Sequence, residues 1–150
     1  MIEFISSHLI ILSAITAFVI AQGAKVLIRA ARGKKITYRD IFAYSDMPSG
    51  HTAVVVALTT AIALSDGFYS PLFAVSFVFA TIIIVDAIGL RNYLGQHGKT
   101  LNILVKDLKE DAFLDASYPK LLERIGHTPL QVLVGGIIGV AVSLIAYFVF

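Results

Sequence analysis

The sequence predicts an all-α fold: a polytopic membrane helix bundle of about four spanning helices, with short amphipathic or interfacial helices between them. Three observations carry this expectation. The 150 residues are 57% hydrophobic and only 15% charged, with a mean hydropathy of +0.84, whereas soluble domains carry roughly a quarter charged residues. The apolar residues fall into four stretches, and most of the charges are gathered in two loops. A net charge of +2 and the absence of cysteine argue against a nucleic-acid partner and exclude disulfides and thiolate metal sites. The length fits a single domain, residues 1–150.

The elements follow in order. A span over 4–28 contains Lys25 near its end. Glu3 stands where a cleaved signal peptide would carry a basic residue, and no convincing cleavage site follows, so this stretch reads as a retained helix. A second, shorter span over 48–65 needs the tetrad Pro48-Ser49-Gly50-His51 to complete it. The third, 70–90, is interrupted by Asp86, and the fourth, 128–150, is uncharged. About 20 apolar residues cross a bilayer, so the first, third and fourth qualify outright.

The connection 29–47 carries Arg29, Arg32, Lys34, Lys35 and Arg39 against Asp40 and Asp46, and 91–126 carries six basic residues mixed with acids. The turn at Asp66-Gly67 has none. Basic loops stay in the cytoplasm, which predicts an integral protein of the cell (inner) membrane with both large loops inside and both termini outside. Within 91–126, Leu101, Leu104, Val105 and Leu108 recur at helical spacing and predict an amphipathic helix on the headgroups or capping the bundle. A second short helix is expected around 119–125, with Pro119 early and Gly126 terminating it.

Ionisable side chains at membrane depth are costly and raise functional hypotheses. Lys25, His51, Asp86, Arg91 and His127 all fall at or near the cytoplasmic ends of the expected spans. Two imidazoles with fixed cations are the composition of a phosphate site. The tetrad leads into an apolar helix, where Ser49 can cap and the first-turn amides can hold an anion.

These residues resemble the divergent branch of the type 2 phosphatidic acid phosphatase and vanadium haloperoxidase superfamily, a group of short integral-membrane proteins. Pro48-Ser49-Gly50-His51 looks like its second signature. Lys25 and Arg32 have the spacing of its first, with Gly33 in place of Pro. For the third signature two placements compete. Arg91 and His97 match the literal spacing, but Leu101 stands where an Asp belongs and no membrane helix follows. In the favoured placement, Leu90-Arg91 supply the start and His127-Thr128-Pro129-Leu130-Gln131 the end, so that His127 opens a spanning helix.

The resemblance implies a metal-independent lipid-phosphate phosphatase without cofactor, acting through a phosphohistidine. His127 would be the nucleophile and His51 the general acid. Lys25, Arg32 and Arg91 would hold the phosphate oxygens, with Ser49 and Gly50 assisting. Gln131 replaces the family's orienting Asp, leaving Asp86, Asp46 or Gln131 itself for that support. The bland readings are that Asp86 pairs with Arg91, Lys25 snorkels and Arg32 only obeys the positive-inside rule. A membrane phosphate site suggests a lipid phosphate such as phosphatidic acid or phosphatidylglycerol phosphate, with a polyprenyl (pyro)phosphate disfavoured by the cytoplasmic placement. Membrane lipids are the expected partners. The small number of spans leaves open whether the short helices complete the bundle or two chains form a homodimer. The rival from another class is a non-enzymatic membrane protein that binds anionic lipid or phosphate through a degenerate site.

Overall fold

The computed structural model describes residues 2–33, 46–110, 119–123 and 125–149. The described residues form helices α1 (Ile2–Ala31), α2 (Gly50–Asp66), α3 (Pro71–Ile88), α4 (Leu90–Glu110) and α5 (Pro129–Val149), with no strand among them. Lys34, Lys35, Arg39 and Asp40 of the first basic loop lie outside the described residues.

Helix boundaries follow from local chemistry. Ser49 N-caps α2, its Oγ accepting from the Thr52 amide at 3.3 Å. Ser70 caps α3 in the same way through the Phe73 amide, with Pro71 at the first position. The start of α5 is a capping box: Thr128 Oγ1 accepts from the Gln131 amide and Gln131 Oε1 accepts from the Thr128 amide.

Helix α2 is the centre of the bundle, packed against α1, α3 and α5, whereas α3 and α5 scarcely meet. The core is made of small residues: Ala17 and Ala21 of α1 pack on Ala53 and Ala57 of α2, with Ile138 and Val142 against them. Large apolar side chains point outward instead, among them Val19, Val75, Phe77, Ile82, Ile137 and Phe148. Small residues inside and large apolar ones outside are what helices in lipid require, because the bilayer solvates the big side chains and close backbone approach supplies the packing.

Helices α2 and α5 run side by side from the same end, locked every four residues. The Ser49 amide donates to the Gln131 carbonyl at 3.0 Å. Gly135 faces the Ser49 carbonyl, Gly139 faces the Ala53 carbonyl and Ala57 amide, and Ser143 Oγ donates to the Ala57 carbonyl at 2.8 Å. A Cβ at Gly139 would lie 2.6 Å from Ala53 O and 2.8 Å from Ala57 N. The face shared by Gln131, Gly135 and Gly139 is thus a helix-packing seam.

Among the described residues, three helices are long and apolar enough to cross a membrane: His8–Ala31, Pro71–Leu108 (α3 running into α4) and Pro129–Val149. Helix α2 is apolar but has 17 residues, short of the about 20 of a full span. The expected amphipathic helix is longer than its periodic stretch: α4 begins at Leu90, directly after a turn at Gly89.

The short helix expected around 119–125 is not formed. Residues 119–123 and 125 are irregular, and one side chain of α4 takes both backbone hydrogen bonds of Leu121. Asn102 donates through Nδ2 to the Leu121 carbonyl and accepts through Oδ1 from the Leu121 amide, both at 2.9 Å. Gly95 and Gly98 let the segment lie on α4, where a Cβ would come within 2.6 Å of Glu123 O and 2.5 Å of Leu122 O. Gly126, expected to end a helix, instead makes a turn at φ +137° against Asn92, a conformation that favours glycine.

Candidate functional site

Four chain segments converge at one end of the bundle: the last turns of α1, the start of α2, the α3–α4 junction and the strap that leads into α5. The strap is fixed at its end by the His127 amide, which donates to Ala87 O at 2.9 Å, and by Asn92 Nδ2, which donates to His127 O at 3.2 Å. Together with the bond from Ser49 to Gln131, these contacts set the first turn of α2 beside the entry to α5.

The two histidines consequently face one another, with ring centroids 6.3 Å apart and planes tilted by 46°. Both rings can reach a single tetrahedral anion at that separation. His51 is exposed at the start of α2, while His127 is buried, with 2% of its surface accessible. Burial is the main force lowering His127 from an ordinary value of 6.5 to about 4; Lys25, His51 and Arg91 push the same way and the Gly126 carbonyl opposes them. His127 is therefore a neutral imidazole at pH 7, the form that can attack phosphorus.

Lys25 is 4% exposed, on the helix face turned into the bundle rather than snorkelling to open solvent. Lys25, Arg91 and Asp86 all lie within electrostatic reach of His51. Arg91 Nε donates to Asp86 Oδ2 at 2.6 Å, and Arg29 is paired in the same way with Asp46. The first-turn amides of Gly50 and His51 have no helical carbonyl to bond. Ser49 is fully buried; its Oγ accepts from the Thr52 amide and from Thr52 Oγ1, which leaves its own proton for donation.

Other expected members are placed elsewhere. Arg32 sits exposed in the turn after α1, two helical turns beyond Lys25, or about 10 Å along the axis. His97 is exposed on α4, and it is His127 whose ring stands against His51. The expected orienting bond from Gln131 is not made. Its Oε1 serves the capping box, and His127 Nδ1 is buried without a well-formed hydrogen bond. Asp86 and Asp46, the two carboxylates considered for that role, are held by arginines.

Asn92, Gly95, Gly98 and Asn102, which build the strap that carries His127, were missed in the sequence. Their spacing along one face of α4 was the available signal. The Thr-x-x-Gln pattern at 128–131 likewise announces a capping box.

The fold and this cluster define an integral membrane protein, a bundle of helices with no strand among its described residues, with an imidazole pair and cations gathered at one end of the bundle. The chain belongs to the Divergent PAP2 family, whose family model matches residues 6–142. It is 36% identical over 148 residues to the uncharacterized membrane protein YuiD of Bacillus subtilis (strain 168), an alignment covering 92% of this chain and 94% of that protein. No solved structure matches.

Proposed function

We propose that this protein is a lipid-phosphate phosphatase that works through a phosphohistidine, without metal or cofactor. The observation that carries this reading is the facing pair His51–His127, 6.3 Å apart, within reach of Lys25 and Arg91. His127 attacks phosphorus through a ring nitrogen; an N–P bond forms as the bond to the lipid oxygen breaks, and His51 gives that oxygen its proton. Water then attacks the phosphohistidine with His51 as base, releasing phosphate and restoring His127. Lys25, Arg91 and the Gly50 amide neutralise and position the phosphoryl oxygens, with the Ser49 hydroxyl beside them. Arg32 steers anions from the rim.

In this reading α1, α2, α3 and α5 cross the bilayer and the site faces the cytoplasmic side of the cell membrane, an orientation that the basic loops support. That favours a lipid phosphate of the inner leaflet, such as phosphatidic acid or phosphatidylglycerol phosphate, over a polyprenyl pyrophosphate.

A second reading is favoured by one observation: among the described residues, no carboxylate bonds to His127 Nδ1. A protein that binds anionic lipid or phosphate without hydrolysing it needs no activated imidazole. Phosphate release by purified protein from a panel of lipid phosphates separates the two. The phosphatase reading expects release that falls by at least about a thousandfold in His127→Ala, with His97→Ala unchanged. Binding of the lipids with no release in the wild type establishes the second reading, and loss in His97→Ala alone moves the nucleophile to that residue.

A further inference from the structure

Helices α3 and α5 diverge on either side of α2 and leave an apolar groove between them, a cavity of about 560 Å³. Its lining includes Thr52 and Val56 of α2, Ile84 of α3, and Val132, Gly136 and Leu144 of α5. We propose that this groove is the binding site for one hydrocarbon chain of a phosphate-bearing lipid whose headgroup lies between His51 and His127; the inference rests on the phosphate-site reading above.

Three features select this occupant. The groove is continuous with the site, because Thr52 lines it while its Oγ1 donates to Ser49 Oγ at 2.9 Å, and His51 is the next residue back. Its length matches one leaflet. Val132 to Leu144 advances about 18 Å along α5 at about 1.5 Å per residue, and half a hydrocarbon core is about 15 Å. Its two ends also differ in chemistry. At one end Thr52 follows His51, which lies within electrostatic reach of Lys25 and Arg91, and the groove itself is lined by side chains that carry no charge. An anionic head joined to a straight apolar tail complements that polarity, whereas a helix of a second chain would bring no anion to the cationic end.

Gly136 lies in the floor of the groove. A Cβ there would meet Thr52 Cγ2 and Val56 Cγ2 at 4.0 Å, an ordinary contact, so a larger side chain fills the groove without forcing the helices apart. Gly135 and Gly139, which face α2 backbone, offer no such room.

The test uses full-length protein in phosphatidylcholine vesicles containing a lipid phosphate with a photoreactive diazirine near the middle of one chain. Adducts are mapped by mass spectrometry in wild type and Gly136→Phe. The expected result is adducts concentrated at Val56 and at α5 residues from Val132 to Leu144, reduced about tenfold in Gly136→Phe, the equivalent of withdrawing two or so methylenes from an apolar wall. A lipid with the same chain but a phosphocholine head should label the groove far less.

Equal labelling by the two headgroups overturns the proposal, since the groove would then be ordinary lipid-facing surface. So does labelling spread around the whole bundle and unchanged in Gly136→Phe, or a crosslink from groove residues to a second copy of the chain. Failure of the phosphatase reading looks different: tail labelling is headgroup-dependent and groove-specific, yet no phosphate is released. Conversely, if hydrolysis of a long-chain lipid phosphate proceeds unaltered in Gly136→Phe, the phosphatase stands and the groove falls.

Discussion

Replacing Gly139 by alanine adds a single methyl group where the α2–α5 seam brings two backbone atoms of α2 against α5. Its Cβ would sit 2.6 Å from the Ala53 carbonyl and 2.8 Å from the Ala57 amide, and ordinary contact begins at 3.4 Å. The helices must therefore separate locally by about 0.8 Å. Both obstacles are backbone atoms, which cannot rotate aside as a side chain can. Overpacking of this kind costs about 1–3 kcal/mol, and the separation also stretches the bond from Ser143 Oγ to the Ala57 carbonyl, worth about 1 kcal/mol. Gly139→Ala should thus lose about 2–4 kcal/mol, read by reversible unfolding in bicelles or as a lowered melting midpoint in detergent. Gly136→Ala, three residues away, is the control. Its Cβ meets nothing closer than 4.0 Å, so it should be neutral or gain up to about 0.8 kcal/mol from helix propensity. If Gly139→Ala is as stable as the wild type, or if the two variants behave alike, the close packing of α2 on α5 is refuted.

Further outcomes follow from the strap and the buried imidazole. Asn102→Ala removes both bonds to the Leu121 backbone and should raise amide exchange at 121–123 by one to two orders of magnitude, for a local loss of about 1–3 kcal/mol; unchanged exchange would mean that the strap is held by other means. His127 is neutral when folded, with a value lowered to about 4, and titrates near 6.5 when unfolded. The unfolded chain therefore binds more protons between those values, so stability is complete above about pH 6.5 and falls as the pH drops towards 4, by at most about 3 kcal/mol. Denaturation from pH 7.5 to 4.5 in wild type and His127→Gln measures this. The slope should be shallower in the variant, and equal slopes would show that His127 titrates normally.

Much of this arrangement was legible in the residue order. The apolar stretches announced the helices, and the positions of Lys25, His51, Asp86, Arg91 and His127 announced that their ends share one site, because charge at membrane depth has few tolerable locations. The choice between His97 and His127 could not be made from spacing alone. Both follow Arg91, and only the fold sets His127 against His51 while His97 is exposed on α4. Gln131 shows the limit from the other side. Its proximity to His127 in sequence suggested an orienting bond, but the nearer amide of Thr128 competes for the same carbonyl and wins it.

What the sequence determined by itself was a membrane bundle and the chemistry it carries, since hydropathy and ionisable side chains act through composition and local order. What only the tertiary structure decided was how those parts meet: the small-residue seam of α2 on α5, the irregular strap laid on the glycines of α4, and the pairing of Asp86 and Asp46 with arginines. Each of these depends on contacts between residues distant in the chain, where a hydrogen-bond donor takes the best acceptor that packing brings within reach.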